Sequence, residues 1–118
     1  MTFQIIASRI CKSYNPPLMP TLKRRIAALN GRLVEIRRAV HAWPELGFTE
    51  HKTAALIERE LRAARVPHKR MCGTGVVGLV RGRRPGKTVL IRADIDGLPV
   101  TEQNKVPYRS KRPGIMHA

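Results

Sequence analysis

The sequence predicts an α/β fold, built as two helices followed by hairpin-joined strands that belong to a larger sheet. Three observations carry that expectation. Apolar residues recur at three- and four-residue steps through the first half of the chain, the spacing of amphipathic helices. Beyond Pro67 the period changes to short β-branched runs bounded by glycine and proline, which read as strands. Two strands alone make a marginal sheet, so the sheet is expected to need more strands than the chain supplies.

Residues 1–20, closed by Pro16, Pro17 and Pro20, read as a disordered leader or a mis-called start. The stretch is basic and acid-free. Its apolar run, Phe3 to Ala7, is too short for a secretory signal, and an organelle transit peptide is only weakly supported. Thr21 can cap the first helix, whose stripe is Leu22, Ile26, Leu29, Leu33, Ile36 and Val40. Asn30-Gly31 sits mid-stripe as a candidate bend. Pro44 disfavours helical geometry at Trp43 and so ends the helix. Thr49 reads as the N-cap of a second helix reaching about Arg65, with Glu50 in its first turn and a stripe of Ala54, Ile57, Leu61 and Ala64. "GVVGLV" and "TVLIRADI" then read as strands joined by "RGRRPGK" as a hairpin turn. Their near-continuous apolar character suggests cover on both faces, for which the two helices are the candidates. The segment after Pro99 is polar and irregular.

Composition sets bounds on function. The 118 residues carry 23 Lys and Arg against 8 Asp and Glu, a formal charge of +15. Such a balance suggests an anionic partner and makes a small basic nucleic-acid-binding module the alternative to an enzyme. The basic residues are dispersed, however, and aromatics are scarce, so the sequence lacks a base-stacking surface. Cys11 and Cys72 match neither a zinc spacing nor a disulfide framework, which makes a reducing, cytoplasmic setting the default. No apolar run approaches the ~18 residues of a membrane span.

Two tempting motifs fail on context. Gly73-Thr74-Gly75-Val76-Val77-Gly78 is a literal G-x-G-x-x-G, but it runs into a strand where a dinucleotide fingerprint needs a helix. "GRRPGKT" is one residue short of a P-loop and also leads into a strand. "RADIDGLP" is more informative. Asp94 and Asp96 stand at i and i+2 where a strand ends, a spacing that points both to one face. Carboxylates there can orient a metal-bound imidazole or hold a cation, or simply cap a turn. His41, His51, His68 and His117 form no ligand motif. The residues alone make no complete catalytic constellation.

Four blocks, "RRAVHAWPELGFTEHKTAALI", "GTGVVGLVRG", "VLIRADIDGLPVTE" and "PYRSKRPGIMHA", stand in one order. They resemble the N-terminus of metal-dependent amidohydrolases, the hippurate hydrolase, N-acyl-amino-acid amidohydrolase and auxin-conjugate hydrolase group of the zinc peptidase superfamily. The resemblance covers about Arg37 to Ala118 and leaves residues 1–20 out. It implies that 21–118 is the N-terminal portion of a catalytic domain, truncated before the metal ligands, since the family continues "MHA" with a ligand-bearing Cys-Gly-His-Asp. The implied reaction is hydrolysis of N-acyl amino acids by a metal-activated water, with a zinc or manganese ion in the full-length family. This chain alone is then expected to be inactive and to bind no metal, unless it complements a separately encoded remainder.

The resemblance also implies roles for particular residues. Asp94 stands at the orienting or metal-bridging aspartate, and Arg92 where the wider superfamily has a ligand His. Asp96 and His117 are expected to support the site from behind, and Glu45 to fix the loop after the first helix. Homo-oligomers through a further domain are common in the family. The charge adds an expectation of non-specific anion binding, with no membrane partner.

Overall fold

The computed structural model describes residues 2–8 and 18–118. In chain order the elements are β1 (Thr2–Ser8), α1 (Leu18–Ala42), α2 (His51–Ala63), β2 (His68–Met71), β3 (Gly75–Arg81) and β4 (Thr88–Asp94). The strands form one mixed sheet in the order β2-β3-β1-β4. β1 runs parallel to β3 and antiparallel to β4, and β2 is antiparallel to β3. The α/β class is therefore as the sequence predicts, with two corrections inside it.

First, the strands on either side of "RGRRPGK" are not a hairpin. β1 lies between them, pairing Phe3–Ser8 with β3 and Thr2–Ser8 with β4. The hairpin is β2–β3 instead, turning at Cys72 and Gly73, which both take positive φ. Second, part of the expected leader is an element. "TFQIIAS" is rich in β-formers and finds a backbone partner on each side. Residues 9–17 lie outside the described residues, and α1 begins at Leu18, ahead of the expected Thr21 cap. Pro20 falls in the first turn, where its missing N–H costs nothing. Asn30-Gly31 does not interrupt the helix, which ends at Ala42, just ahead of Trp43 and Pro44.

α2 packs on β2 and β3. Ala54 and Leu61 of the helix meet Val76 of β3 in the buried core, with Ile57 and Val66 packed against it. Gly78 lets this approach happen, because a Cβ there would stand 3.4 Å from both Leu61 and Val66. Arg70 of β2 ties back to Glu58 of α2. α1 departs from expectation: its Leu22, Ile26, Leu29 and Leu33 are about half exposed, and among the described residues the helix that packs on the strands is α2. β4 is also bare, its Leu90 and Ile91 being more than half exposed. The predicted two-sided cover is realised, in part, only at β3.

Candidate functional site

Three chain segments converge just beyond the end of β4. The first is the α1–α2 loop, entered because Pro44 stops α1. The second is 95–98, where β4 gives way to Gly97. The third is the irregular stretch 102–117. Short bridges sew them together, Leu46 beside Gly97 and Leu98 beside Met116. Gly97 N donates to Glu45 O at 2.7 Å, and Leu98 and Met116 exchange two bonds of 2.8 and 3.1 Å. Lys111 N donates to Ala42 O, and the Arg112 guanidinium donates to Pro44 O.

Gly97 is the point of closest approach. A Cβ there would stand 3.0 Å from Ile115 Cγ2, 3.0 Å from Pro44 Cβ and 3.3 Å from His117 Cδ2. Gly97→Ala should therefore cost about 1–3 kcal/mol by overpacking, read as a lowered urea midpoint. An unchanged midpoint would mean that the three segments separate easily.

Two buried carboxylates hold the loop and its helix. Glu45 accepts from Thr53 N at 2.8 Å, Thr53 Oγ1 at 2.9 Å and Lys52 N at 3.2 Å. It caps α2 from outside the helix, satisfying N–H groups that the first turn leaves without intrahelical partners. The expected cap Thr49 does not do this. Its hydroxyl donates to Leu46 O, and the N-cap position is taken by Glu50, whose side chain makes no cap bond. Glu50 is instead fully buried and accepts from Thr74 Oγ1 in the β2–β3 turn at 2.6 Å. Burial pushes its carboxyl up, but hydrogen bonding, the Thr74 hydroxyl foremost, outweighs burial and holds it below the usual carboxylate range.

Glu102 does the same for the third segment. Its buried carboxylate accepts from Ser110 N at 2.6 Å and lies 3.1 Å from His41 Nε2 at the end of α1. Its carbonyl takes the Arg109 guanidinium at 2.7 Å. The Ser110 N–H, then His41, hold the Glu102 carboxyl below its ordinary value. His41 in turn stands edge-on to Tyr108 and His117, with ring centroids at 5.9 and 6.3 Å. Burial, and the neighbouring His41, push the His117 imidazole down, with Asp96 opposing.

The residues singled out from "RADID" part company here. Arg92 and Asp94 pair with each other at the surface, 2.9 Å apart and both well exposed. Asp96 is half-buried, near Gly47, and close enough to His117 to act on it. The common face expected from their spacing is lost because strand alternation stops at Asp94. Glu45 stands where the resemblance put it, in the loop after α1. The pairings of Glu50 with Thr74 and of Glu102 with His41 have no mark in the sequence. "PVTEQ" offers no local signal for Glu102, since the two groups that chiefly hold its carboxylate, Ser110 N and His41, lie 8 and 61 residues away.

No family model matches the chain. It is 41% identical over 103 residues to thermostable carboxypeptidase 1 of Saccharolobus solfataricus, covering 86% of this chain and 26% of that protein. It is 39% identical over 98 residues to the N-acyl-L-amino acid amidohydrolase of Geobacillus stearothermophilus (82% and 26%). With the N-acetylcysteine deacetylase of Bacillus subtilis it shares 42% identity over 96 residues (77% and 24%). Among solved structures it is similar to the Bacillus subtilis YXEP protein, described as a dinuclear metal binding peptidase from the M20 family. The TM-score is 0.68 at 36% identity, over 77% of this chain and 26% of that one. The chain thus spans about a quarter of the length of the curated relatives it matches.

Proposed function

We propose that this chain, a member of the metal-dependent amidohydrolases, forms the framework at the end of β4 in a catalytic unit that hydrolyses the amide bond of N-acyl amino acids. The observation that carries this reading is the closure of three segments on Gly97, in a chain similar to amide-cleaving relatives across most of its own length. An N-acyl-L-amino acid amidohydrolase and an N-acetylcysteine deacetylase share one chemistry, transfer of an acyl group from nitrogen to water. A hippurate-like substrate is one member of that class.

The divalent metal of the family reading, zinc or manganese, does not find its cage among the described residues. No group of three or more His, Cys, Asp or Glu there could hold a metal ion. Asp94 is engaged by Arg92. No step through a metal is therefore assigned to this chain. Its residues position: Glu45 sets the loop that grips Gly97, and Glu102 sets the segment that carries His117.

Two assays test the reading. The purified chain, with zinc or manganese added, should leave N-acyl amino acids unhydrolysed; robust metal-dependent activity would refute the framework role. A chimera in which residues 21–118 replace the matching quarter of the Geobacillus amidohydrolase should hydrolyse them. A chimera that folds, by circular dichroism and a cooperative melt, yet shows no activity sinks the proposal.

The +15 charge supports a weaker second reading, non-specific anion binding. Two aromatics that could stack bases are already engaged, Tyr108 beneath Arg38 at 4.7 Å and Trp43 beneath Lys111 at 5.5 Å. RNA binding that discriminates sequence at physiological salt would favour a nucleic-acid role instead.

A further inference from the structure

We infer that β1 is a removable strand: it stands inside an antiparallel hairpin of β3 and β4 that closes when it leaves. The registers carry this reading. Phe3 lies between Val76 and Ala93, Ile5 between Gly78 and Ile91, Ala7 between Val80 and Val89, and Ser8 between Arg81 and Thr88. Each step forward on β3 is matched by one step back on β4. The two strands are thus already aligned as hairpin partners, with the width of one strand between them. Closing that gap needs no slip in register, and every side chain of β3 and β4 keeps its face of the sheet.

The connection fits both states. Residues 82–87 join the two strands. At roughly 3.3 Å per residue they span two strand spacings of about 4.8 Å each with slack to spare. The same stretch holds Pro85-Gly86, a dipeptide of tight turns. The turn that "RGRRPGK" spells is therefore the turn of the closed state. The blocks that resemble the amidohydrolases contain β3 and β4 and leave β1 out. Packing also spares β1. α2 lies on β2 and β3, with Ala54 and Leu61 against Val76, an arrangement that closure leaves in place. On leaving, β1 gives up two backbone ladders. One new β3–β4 ladder and the freedom regained by its own residues offset part of that loss.

The strand reaches the candidate site through β4. With β1 seated, Asp94 stands opposite Thr2. In the closed hairpin it stands opposite Gly75, next to the Thr74 that Glu50 holds. β1 therefore sets, by one strand spacing, where the end of β4 lies relative to α2.

The test traps the closed state in the full chain. Val80 and Val89, both beside Ala7, are roughly 9–10 Å apart at Cα with β1 seated. That is too far for a disulfide, which comes within reach once the two strands pair. In a chain carrying Cys11→Ser and Cys72→Ser, the pair Val80→Cys and Val89→Cys should crosslink under mild oxidation through the β1-out state. The crosslinked chain should leave the amides of 2–8 open to hydrogen exchange while those of β3 and β4 stay protected. Ile5→Pro removes a donor from a central strand and should speed crosslinking about tenfold, as when a state populated at up to roughly 10% becomes the main one. The helical signal and a cooperative melt should survive it. Crosslinking no faster than exchange of the Ala54 amide, which α2 buries and bonds to Glu50 O, would mean that the strands meet only on global unfolding, and would overturn the proposal. So would loss of the cooperative melt in Ile5→Pro, which makes β1 an integral strand, or a crosslink between chains in place of one within. None of these readouts involves hydrolysis, so an inactive chimera would fail the functional reading and leave the removable strand standing.

Discussion

Glu45→Ala should destabilise the fold by about 3 kcal/mol or more, the largest loss expected from a single side chain here. The carboxylate answers two backbone donors and one hydroxyl, Lys52 N, Thr53 N and Thr53 Oγ1. Leaving a buried donor unanswered costs about 1–3 kcal/mol, and losing a helix cap about 1 kcal/mol. The hydroxyl can turn away, which keeps the sum below the sum of its parts. Set against a total of roughly 5–15 kcal/mol for a domain, the loss is a large fraction. Glu45→Gln keeps the acceptor oxygen for Thr53 but turns an amide NH2 toward the Lys52 N–H and loses the charge at the helix N-terminus, so it should cost about 1–2 kcal/mol. Urea titration reads both. If alanine costs less than 1 kcal/mol, water has replaced the carboxylate and the cap is not what holds α2.

The consequence reaches the candidate site because the same residue faces both ways. Its side chain fixes the start of α2, and its carbonyl receives Gly97 N at 2.7 Å. A loop released from α2 would also slacken its grip on the end of β4. Limited proteolysis within 95–98 should therefore quicken in Glu45→Ala, and to a lesser extent in Glu45→Gln.

What the sequence makes legible follows interaction range. The helices are written locally, in the stripe of α2 and in Pro44 as a stop, and both appear within a few residues of expectation. The change of period after Pro67 marks β3 and β4 correctly. The order of strands is not local. "RGRRPGK" looks like a hairpin turn because nothing near it reveals that β1, some 70 residues earlier, takes the place between its flanking strands. Apolar content likewise says what a strand can bury and not what arrives to bury it, which is why β4 is bare where cover was expected.

The candidate site divides along the same line. Asp94 and Asp96 are conspicuous as a pair in sequence, yet the end of β4 between them sends one to the surface and the other inward. Glu45 could be named because it lies within the resembling block "HAWPELGF". Glu50 and Glu102 are ordinary acids in polar stretches. Their importance rests on partners 24 and 61 residues distant, Thr74 and His41. A buried carboxylate shows itself only once the chain has closed around it.

Glu102 gives the second large effect, and it should appear as an acid-triggered release of the segment it anchors. The Ser110 N–H and then His41 lower its carboxyl below the ordinary value of 4.5. A group whose folded pKa is depressed adds stability that is fully present above the unfolded value and lost as pH falls through the folded one. Between neutrality and about pH 5 the segment 103–117 should thus stay docked, and below about pH 4.5 its hold should weaken. Global melting cannot isolate this, because Glu50 and Glu58 are lowered too and fail in the same range. Local exchange can. The Ser110 and Lys111 amides, which donate to Glu102 and to Ala42 O, should lose protection in acid before the amides of β3. Glu102→Gln removes the proton-binding group, so in that variant protection at Ser110 should be lower at neutral pH and nearly flat across the acid range. If Glu102→Gln keeps the same acid step, the release belongs to another carboxylate, and Glu102 is a spacer and not the anchor of His117.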